Sequence, residues 1–309
     1  MRPKNHRPVP PIQSRRTPFA LIVATLPPLS GANMNRACLS KTTVYASFAS
    51  AVLRKLGRMA LALMSLNASL SALAEPVSAE STAGWNGTAG AGPIVFPKYV
   101  GGKSTQVWPI PLLSINYAET FYVELERVGV YVLASDDKKI GLGFAVEPRF
   151  GFSAKDGARL VGMATRRDSL EGGPTFDWDF DVVAVSVAWF GDLNRSSHGN
   201  SLRASIYKPL LKNEHWDFGA LLAFDRMNGK LANYYFGVRP SEATALRPGY
   251  QPGAGTSTSI GLSGTYNLDK RHALMFGANL ARLARGAGNS PIAETNRAAM
   301  YYIGYGWNL

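Results

Sequence analysis

Tyr301-Tyr302-Ile303-Gly304-Tyr305-Gly306-Trp307-Asn308-Leu309 stands at the C-terminal end of the sequence. Bulky apolar side chains fall at 301, 303, 305, 307 and 309, and small or polar ones at 304, 306 and 308. Successive side chains of a strand point to opposite faces, so one face here is a wall of aromatics and the other is nearly bare. A core strand of a soluble β-domain has the same period. A transmembrane β-barrel needs such a strand at its end, because the last strand closes the barrel and its outer face meets lipid.

The same alternation recurs upstream, between Gly, Pro, Asn and Asp clusters. In 256–268, Ile260, Leu262, Gly264, Tyr266 and Leu268 share a face opposite Ser259, Gly261, Ser263, Thr265 and Asn267. Leu274, Phe276, Ala278 and Leu280 continue it after an Asp269-Lys270 turn, and Trp216, Phe218, Ala220, Leu222 and Phe224 repeat it. Phe121 with Val123 and Leu125, Ile140 with Leu142, Phe144 and Val146, and Trp178 with Phe180 and Val182 do the same. Aromatics cluster near strand ends, as interfacial girdles require, and glycine is frequent on the polar face, as in a crowded lumen. The expected fold is all-β: an antiparallel transmembrane β-barrel of about twelve strands, from ~20 residues per strand and turn and the even strand numbers of single-chain barrels. Segment 84–104 reads as an opening strand and turn, and 153–174, 191–200, 227–255 and 285–296 read as loops.

The N-terminal part supplies an address. Arg54, Lys55 and Arg58 precede an apolar run from Met59 through Leu73, which ends in Ala72-Leu73-Ala74. Basic n-region, short h-region and A-x-A site make 54–74 a secretory signal peptide, with cleavage after Ala74 leaving Glu75 first. Ser65, Asn67, Ser69 and Ser71 make the run too polar and too short for a spanning helix. Residues 1–53 are rich in Pro and Arg and read as an unstructured leader or a start assigned too early, with Met34 a better start. The barrel then occupies 75–309. The final strand also resembles the C-terminal signal read by the barrel-assembly machinery, with Tyr301, Ile303, Tyr305, Trp307 and Leu309 as its apolar positions; Leu309 departs from the usual terminal Phe.

The net charge of +12 first suggests nucleic acid. Ten of the 33 lysines and arginines lie in 1–74, where there is no Asp or Glu; the other 23 face 21 acidic residues, a net +2. The basic excess belongs to the leader, and no nucleic-acid partner is expected. The one cysteine, Cys38, lies there too. The mature chain therefore has neither a disulfide framework nor thiol chemistry.

Several short motifs resemble a known family. Gly90-Ala91-Gly92-Pro93, Pro97-Lys98-Tyr99-Val100-Gly101-Gly102 and Trp108-Pro109-Ile110-Pro111 come first. Tyr234-Tyr235-Phe236-Gly237-Val238, Ser241-Glu242-Ala243, Tyr250 with Pro252-Gly253-Ala254-Gly255, Arg282-Leu283 and Ser290-Pro291-Ile292 follow in order. Together they are similar to the MipA/OmpV family of outer-membrane proteins, across nearly the whole mature chain. The resemblance implies location in the bacterial outer membrane, contact with lipid and lipopolysaccharide, and a scaffold role. In that role a barrel holds a murein lytic transglycosylase near a penicillin-binding murein synthase. Other members are associated with osmotic-stress and antibiotic responses, so a pore or stress-response channel is the alternative.

Residues that could carry chemistry give weak patterns. Asp192, Ser196, Ser197 and His198 hold the residue types of a hydrolytic site, but triad members are rarely so close in sequence. Asp177, Asp179 and Asp181 suggest calcium, yet in a strand they stand ~7 Å apart on one side and no distal Glu completes a loop. A lumen-facing charged row is the better reading, with Arg149, Arg203 and Arg226 as candidate partners. Arg166-Arg167 could meet lipopolysaccharide phosphates. No catalytic residue, cofactor or metal is expected.

Overall fold

A computed structural model describes residues 84–309. The leader and the signal segment, with Ala72, Ala74 and Glu75, lie outside the described residues. Twelve antiparallel strands close into one barrel. They are β1 Trp85–Pro97, β2 Thr105–Tyr117, β3 Phe121–Glu124, β4 Arg127–Ala134, β5 Ile140–Arg149, β6 Ser169–Asp179, β7 Ala184–Asp192, β8 Asn200–Lys212, β9 Trp216–Met227, β10 Gly255–Asn267, β11 His272–Arg282 and β12 Arg297–Asn308. Each strand pairs with its sequence neighbours, and β12 pairs with β1 to close the ring, Ala91 opposite Tyr305 and Val95 opposite Tyr301. Closure matters because an unpaired edge in lipid leaves backbone polar groups without partners. No described helix is long and apolar enough to cross a membrane.

The alternation read from the sequence becomes inside and outside. Tyr301, Ile303, Tyr305, Trp307 and Leu309 are all exposed on the outer surface, while Ala298, Met300, Gly304 and Gly306 are buried. Gly306 faces inward so close to β1 that a Cβ would stand 2.8 Å from the Ala89 carbonyl oxygen. On the outer face Gly264 lies opposite both Phe218 and Phe276. Its missing side chain leaves room for those two rings to stack across it, 6.0 Å apart.

Short turns at 118–120, 135–139, 180–183, 213–215 and 268–271 lie at the end that holds the start of β1 and the end of β12. Long connections lie at the other end. Short turns mark the periplasmic side of such barrels and long loops the extracellular side. Trp85, Tyr117, Trp178, Trp216, Tyr266 and Trp307 gather at the periplasmic end, an interfacial girdle.

Several segments read as loops end differently. β6 starts at Ser169, β7 runs through Asp192, and β9 ends at Met227. The 228–254 segment contains helix α1, Gly229–Phe236, and the 283–296 segment a single helical turn, α2, Arg285–Gly288. α1 forms because Leu231, Ala232, Tyr235 and Phe236 recur on one face and are buried, while Asn228 caps its start by accepting from the Leu231 N–H at 2.9 Å.

The wall is not even. β3 has four residues and covers only Ser114–Tyr117 of β2. The β3–β4 turn at Leu125 and Glu126 therefore falls partway up the wall. β2 itself continues past Ser114 along β1 to Thr105. The Leu125 N–H donates to the Leu113 carbonyl at 2.7 Å.

Candidate functional site

Three places in the barrel concentrate polar chemistry: the upper lumen, the extracellular cap and the periplasmic turns.

In the lumen, register brings Glu147 of β5 opposite Glu171 of β6, and Arg203 of β8 opposite Asp225 of β9. All four point inward. Arg203 bridges Glu147 and Glu171 and approaches Asp225 at 3.9 Å. Arg149 binds Glu171 through two nitrogens at 2.7 and 3.1 Å and reaches Asp225 at 3.0 Å. Arg127 holds Glu147 at 2.9 Å. Three arginines thus meet three carboxylates, and Arg203 and Arg127 also stand over the Phe190 ring at 5.0 and 5.5 Å. Buried charges survive only when paired and hydrogen-bonded in this way. Glu147 and Glu171 are 1% exposed. Nearby inward side chains, among them Leu112, Leu221, Phe190 and Met300, are buried too. A water-filled channel would leave such side chains wet; here the upper lumen is packed with protein.

The cap is one packed unit built from loops. Leu231, Ala232, Tyr235 and Phe236 of α1 join Met227, Leu283, Ala284 and Ala287. A second cluster unites Tyr99, Phe152, Leu160, Met163, Val238 and Ile292 from four different loops. Between them lies Arg166, 2% exposed. It grips Glu242 at 2.7 Å through each of two nitrogens and also donates to the carbonyls of Tyr234, Ala164 and Gly237 at 2.7, 2.9 and 3.2 Å. All of its donors are used. Burial works against the Glu242 carboxylate, but the Arg166 hydrogen bonds and the Arg239 backbone N–H hold it down at about 2. Arg247 ties the same region together, donating to the carbonyls of Glu242, Arg159 and Val161. Burial pushes the Tyr99 hydroxyl up to about 12, and that hydroxyl donates to the Ile292 carbonyl at 3.0 Å.

At the periplasmic end Lys139 pairs with Asp181 at 2.6 Å, and Asp181 raises the lysine's pKa. The Trp178 and Phe180 rings stack at 4.1 Å beside Val182, which is 69% exposed. A hydrogen bond with His272 is the first of the contacts that hold Asp269 at about 2.

The candidates read from sequence are redistributed. Asp177 and Asp179 face inward, but Asp181 sits in the turn at φ 69°, so the three form no row. Arg149 and Arg203 do pair inside the lumen, with Glu147, Glu171 and Asp225 instead; Arg226 faces outward beside Thr256. Arg166 is buried in the cap, so it is no lipopolysaccharide contact. Asp192 accepts from Ser169 Oγ, Ser197 Oγ and the backbone N–H groups of Ser197 and His198. It is the staple of a tight turn, with the His198 side chain exposed rather than placed as a base. No group of three metal-ligating side chains occurs among the described residues. Sequence reasoning missed Glu147, Glu171 and Asp225, whose meeting depends on register, and Glu242, whose role depends on loop packing.

Comparison with known proteins places this architecture. Over 191 residues, 60% of this chain and 72% of the relative, the sequence is 38% identical to the outer membrane protein Omp26La of Vibrio anguillarum. Among solved structures, Ail, the attachment invasion locus protein of Yersinia pestis, crystallised with the heparin analogue sucrose octasulfate, is 9% identical. That match covers 73% of this chain and 97% of Ail at a TM-score of 0.21, which adds nothing to the strand order described above. The family model for MltA-interacting protein MipA matches residues 89–309, from the first strand to the last residue. Tyr99, Glu242 and Ile292, which lie in motifs quoted above, are among the residues that build the cap. The chain belongs to the MipA family and is a β-barrel protein of the bacterial outer membrane.

Proposed function

We propose that this barrel is a non-enzymatic anchor that recruits periplasmic murein-remodelling enzymes, a lytic transglycosylase with a penicillin-binding murein synthase, to the outer membrane. One observation carries the choice of anchor over channel: the upper lumen is filled by buried ion-paired side chains under a packed cap. The family's description, MltA-interacting protein, supports the class of partner. Among the described residues, Asp192, Ser197 and His198 form a turn rather than a nucleophile and base.

Recruitment then falls to the periplasmic turns, which are three to five residues long. The surface they offer is small, so each contact is of the modest kind. The β6–β7 turn suits it best: exposed Val182 and the stacked Trp178 and Phe180 offer an apolar anchor, with Asp181 and Lys139 beside it. Aromatic anchors with a charged rim are the usual energetic centre of an interface. The test immobilises the refolded barrel and passes a periplasmic extract over it. Retention of a lytic transglycosylase, lost when the 180–183 turn is replaced by Asn-Gly, supports the reading. Equal retention by barrel and by bare resin refutes it.

A further inference from the structure

The Arg282-Leu283 motif has no part in anchoring, and Arg282 belongs to a group of its own. Six arginines lie on the strands. Arg127, Arg149 and Arg203 point into the lumen, where carboxylates hold them. Arg226, Arg282 and Arg297 point outward and are exposed. None of these three forms an ion pair with a described residue, and no Asp or Glu shares the outer face of β8 to β12. All three stand at the extracellular ends of neighbouring strands: Arg226 near the end of β9, Arg282 at the end of β11 and Arg297 at the start of β12.

Register brings them together. Arg282 lies directly opposite Arg297 on β12 and, on its other side, opposite Thr258 of β10. Arg226 lies opposite Thr256, and its Nη1 donates to Thr256 Oγ1 at 3.5 Å. Directly opposed backbones are ~5 Å apart, and like charges so placed repel. A lone interfacial arginine snorkels to water and needs nothing more. An opposed pair with no carboxylate beside it is a different case, because an anion bridging the two guanidiniums turns repulsion into attraction. Between Arg297 and Trp307 of the periplasmic girdle β12 rises ~25 Å, at ~3.3 Å per residue and a tilt of about 40°. That is the height of the apolar band, so the arginines stand where the outer leaflet meets water. Beneath them the outer wall is apolar: Phe224, Ile260, Leu280 and Tyr301 are all exposed.

We propose that Arg226, Arg282 and Arg297, with the Thr256 and Thr258 hydroxyls between them, bind the phosphates of an acylated glycolipid of the outer leaflet, of the lipid A class. A guanidinium matches phosphate with two parallel N–H bonds, and a phosphate between Arg282 and Arg297 answers both charges at once. Arg226 stands ~12 Å from Arg282 across β10, two strand spacings over and one two-residue step along. That is about the length of a disaccharide, so a headgroup with a phosphate at each end reaches both. The acyl chains then lie along the apolar wall below. The patch faces lipid at the end opposite the periplasmic turns, and it does not rest on the anchor reading.

The test measures binding of lipid A to the full barrel in detergent by native mass spectrometry. Bisphosphorylated lipid A should bind about 10-fold or more tightly than the same lipid with both phosphates removed. Excess inorganic phosphate should not displace it, because phosphate alone brings no acyl chains to the wall. Arg282→Gln with Arg297→Gln, checked for folding by heat-modifiable migration, should lose most of that preference. Lys155→Gln with Arg195→Gln, an equal charge change at exposed loop positions, should keep it. Arg297→Gln alone, at the first residue of its strand, gives the same readout if the double variant does not fold. Equal binding of the two lipids, displacement by inorganic phosphate, or a preference unchanged in the arginine variants overturns the proposal.

Discussion

Replacing Glu242 by Gln isolates the electrostatic part of the cap. The amide keeps the shape but removes the charge that Arg166 faces. Arg166 is fully enclosed, and its contacts on the other side are three backbone carbonyls, which do not neutralise it. Breaking a buried pair by removing one partner costs about 3–5 kcal/mol, because an uncompensated charge stays behind. Taking the lower end, and about 1.4 kcal/mol per factor of ten, protection of amides in 228–254 and 283–296 falls by roughly 100-fold. Hydrogen exchange on the detergent-solubilised barrel reads this directly. Strand amides serve as the internal control, since they are held by the closed ladder rather than by the cap. A double replacement, Arg166→Met with Glu242→Met, should recover much of the loss, because two apolar side chains of similar volume leave no charge unpaired. The reasoning fails if Glu242→Gln leaves loop exchange unchanged, or if strands and loops lose protection equally.

Acid should act on the cap in a defined window. The folded Glu242 carboxyl sits at about 2, below the ~4.3 of an unfolded glutamate, so its contribution is complete above ~4.3 and is lost as pH falls toward 2; loop exchange followed from pH 6 to pH 2 should show the decline only in that range. On the outer face, Ile303→Lys should cost about 2–4 kcal/mol near the bilayer midplane, and Tyr305→Lys, nearer the periplasmic girdle, closer to ~1, both from folding titrations in lipid. Gly306→Lys should fail outright by collision with the Ala89 carbonyl, read as loss of heat-modifiable folded protein. In the lumen, Glu171→Gln removes the carboxylate shared by Arg149 and Arg203. It should lower the denaturant midpoint of the whole barrel, whereas Glu214→Gln in an exposed turn should not.

The strands were legible because lipid outside and a packed lumen inside impose a strict period of two. Ile260, Leu262, Gly264 and Tyr266 could be assigned to one face from residue type alone, and the face is the outer one. The short β3–β4 hairpin was hidden, since Phe121, Val123 and Leu125 keep alternating up to the turn. The lumen network was half legible: Arg149 and Arg203 stood out, while their carboxylates are fixed by register, which composition does not carry. The cap was the least legible. Its loops are Gly- and Pro-rich, and only the short apolar stripe of α1 hints that they pack on one another. The Asp177-Asp179-Asp181 series misled because a tight turn, not a continuing strand, holds its last member.

The claim that this barrel is an anchor and not a channel rests on the filled upper lumen. Single-channel recording of the refolded protein in a planar bilayer tests it most directly. The account predicts a flat baseline at moderate voltage, with steps appearing when Arg149, Glu171 and Arg203 are all replaced by Ala in a barrel lacking the 228–254 cap segment. Regular stepwise conductance from the unmodified protein would contradict it.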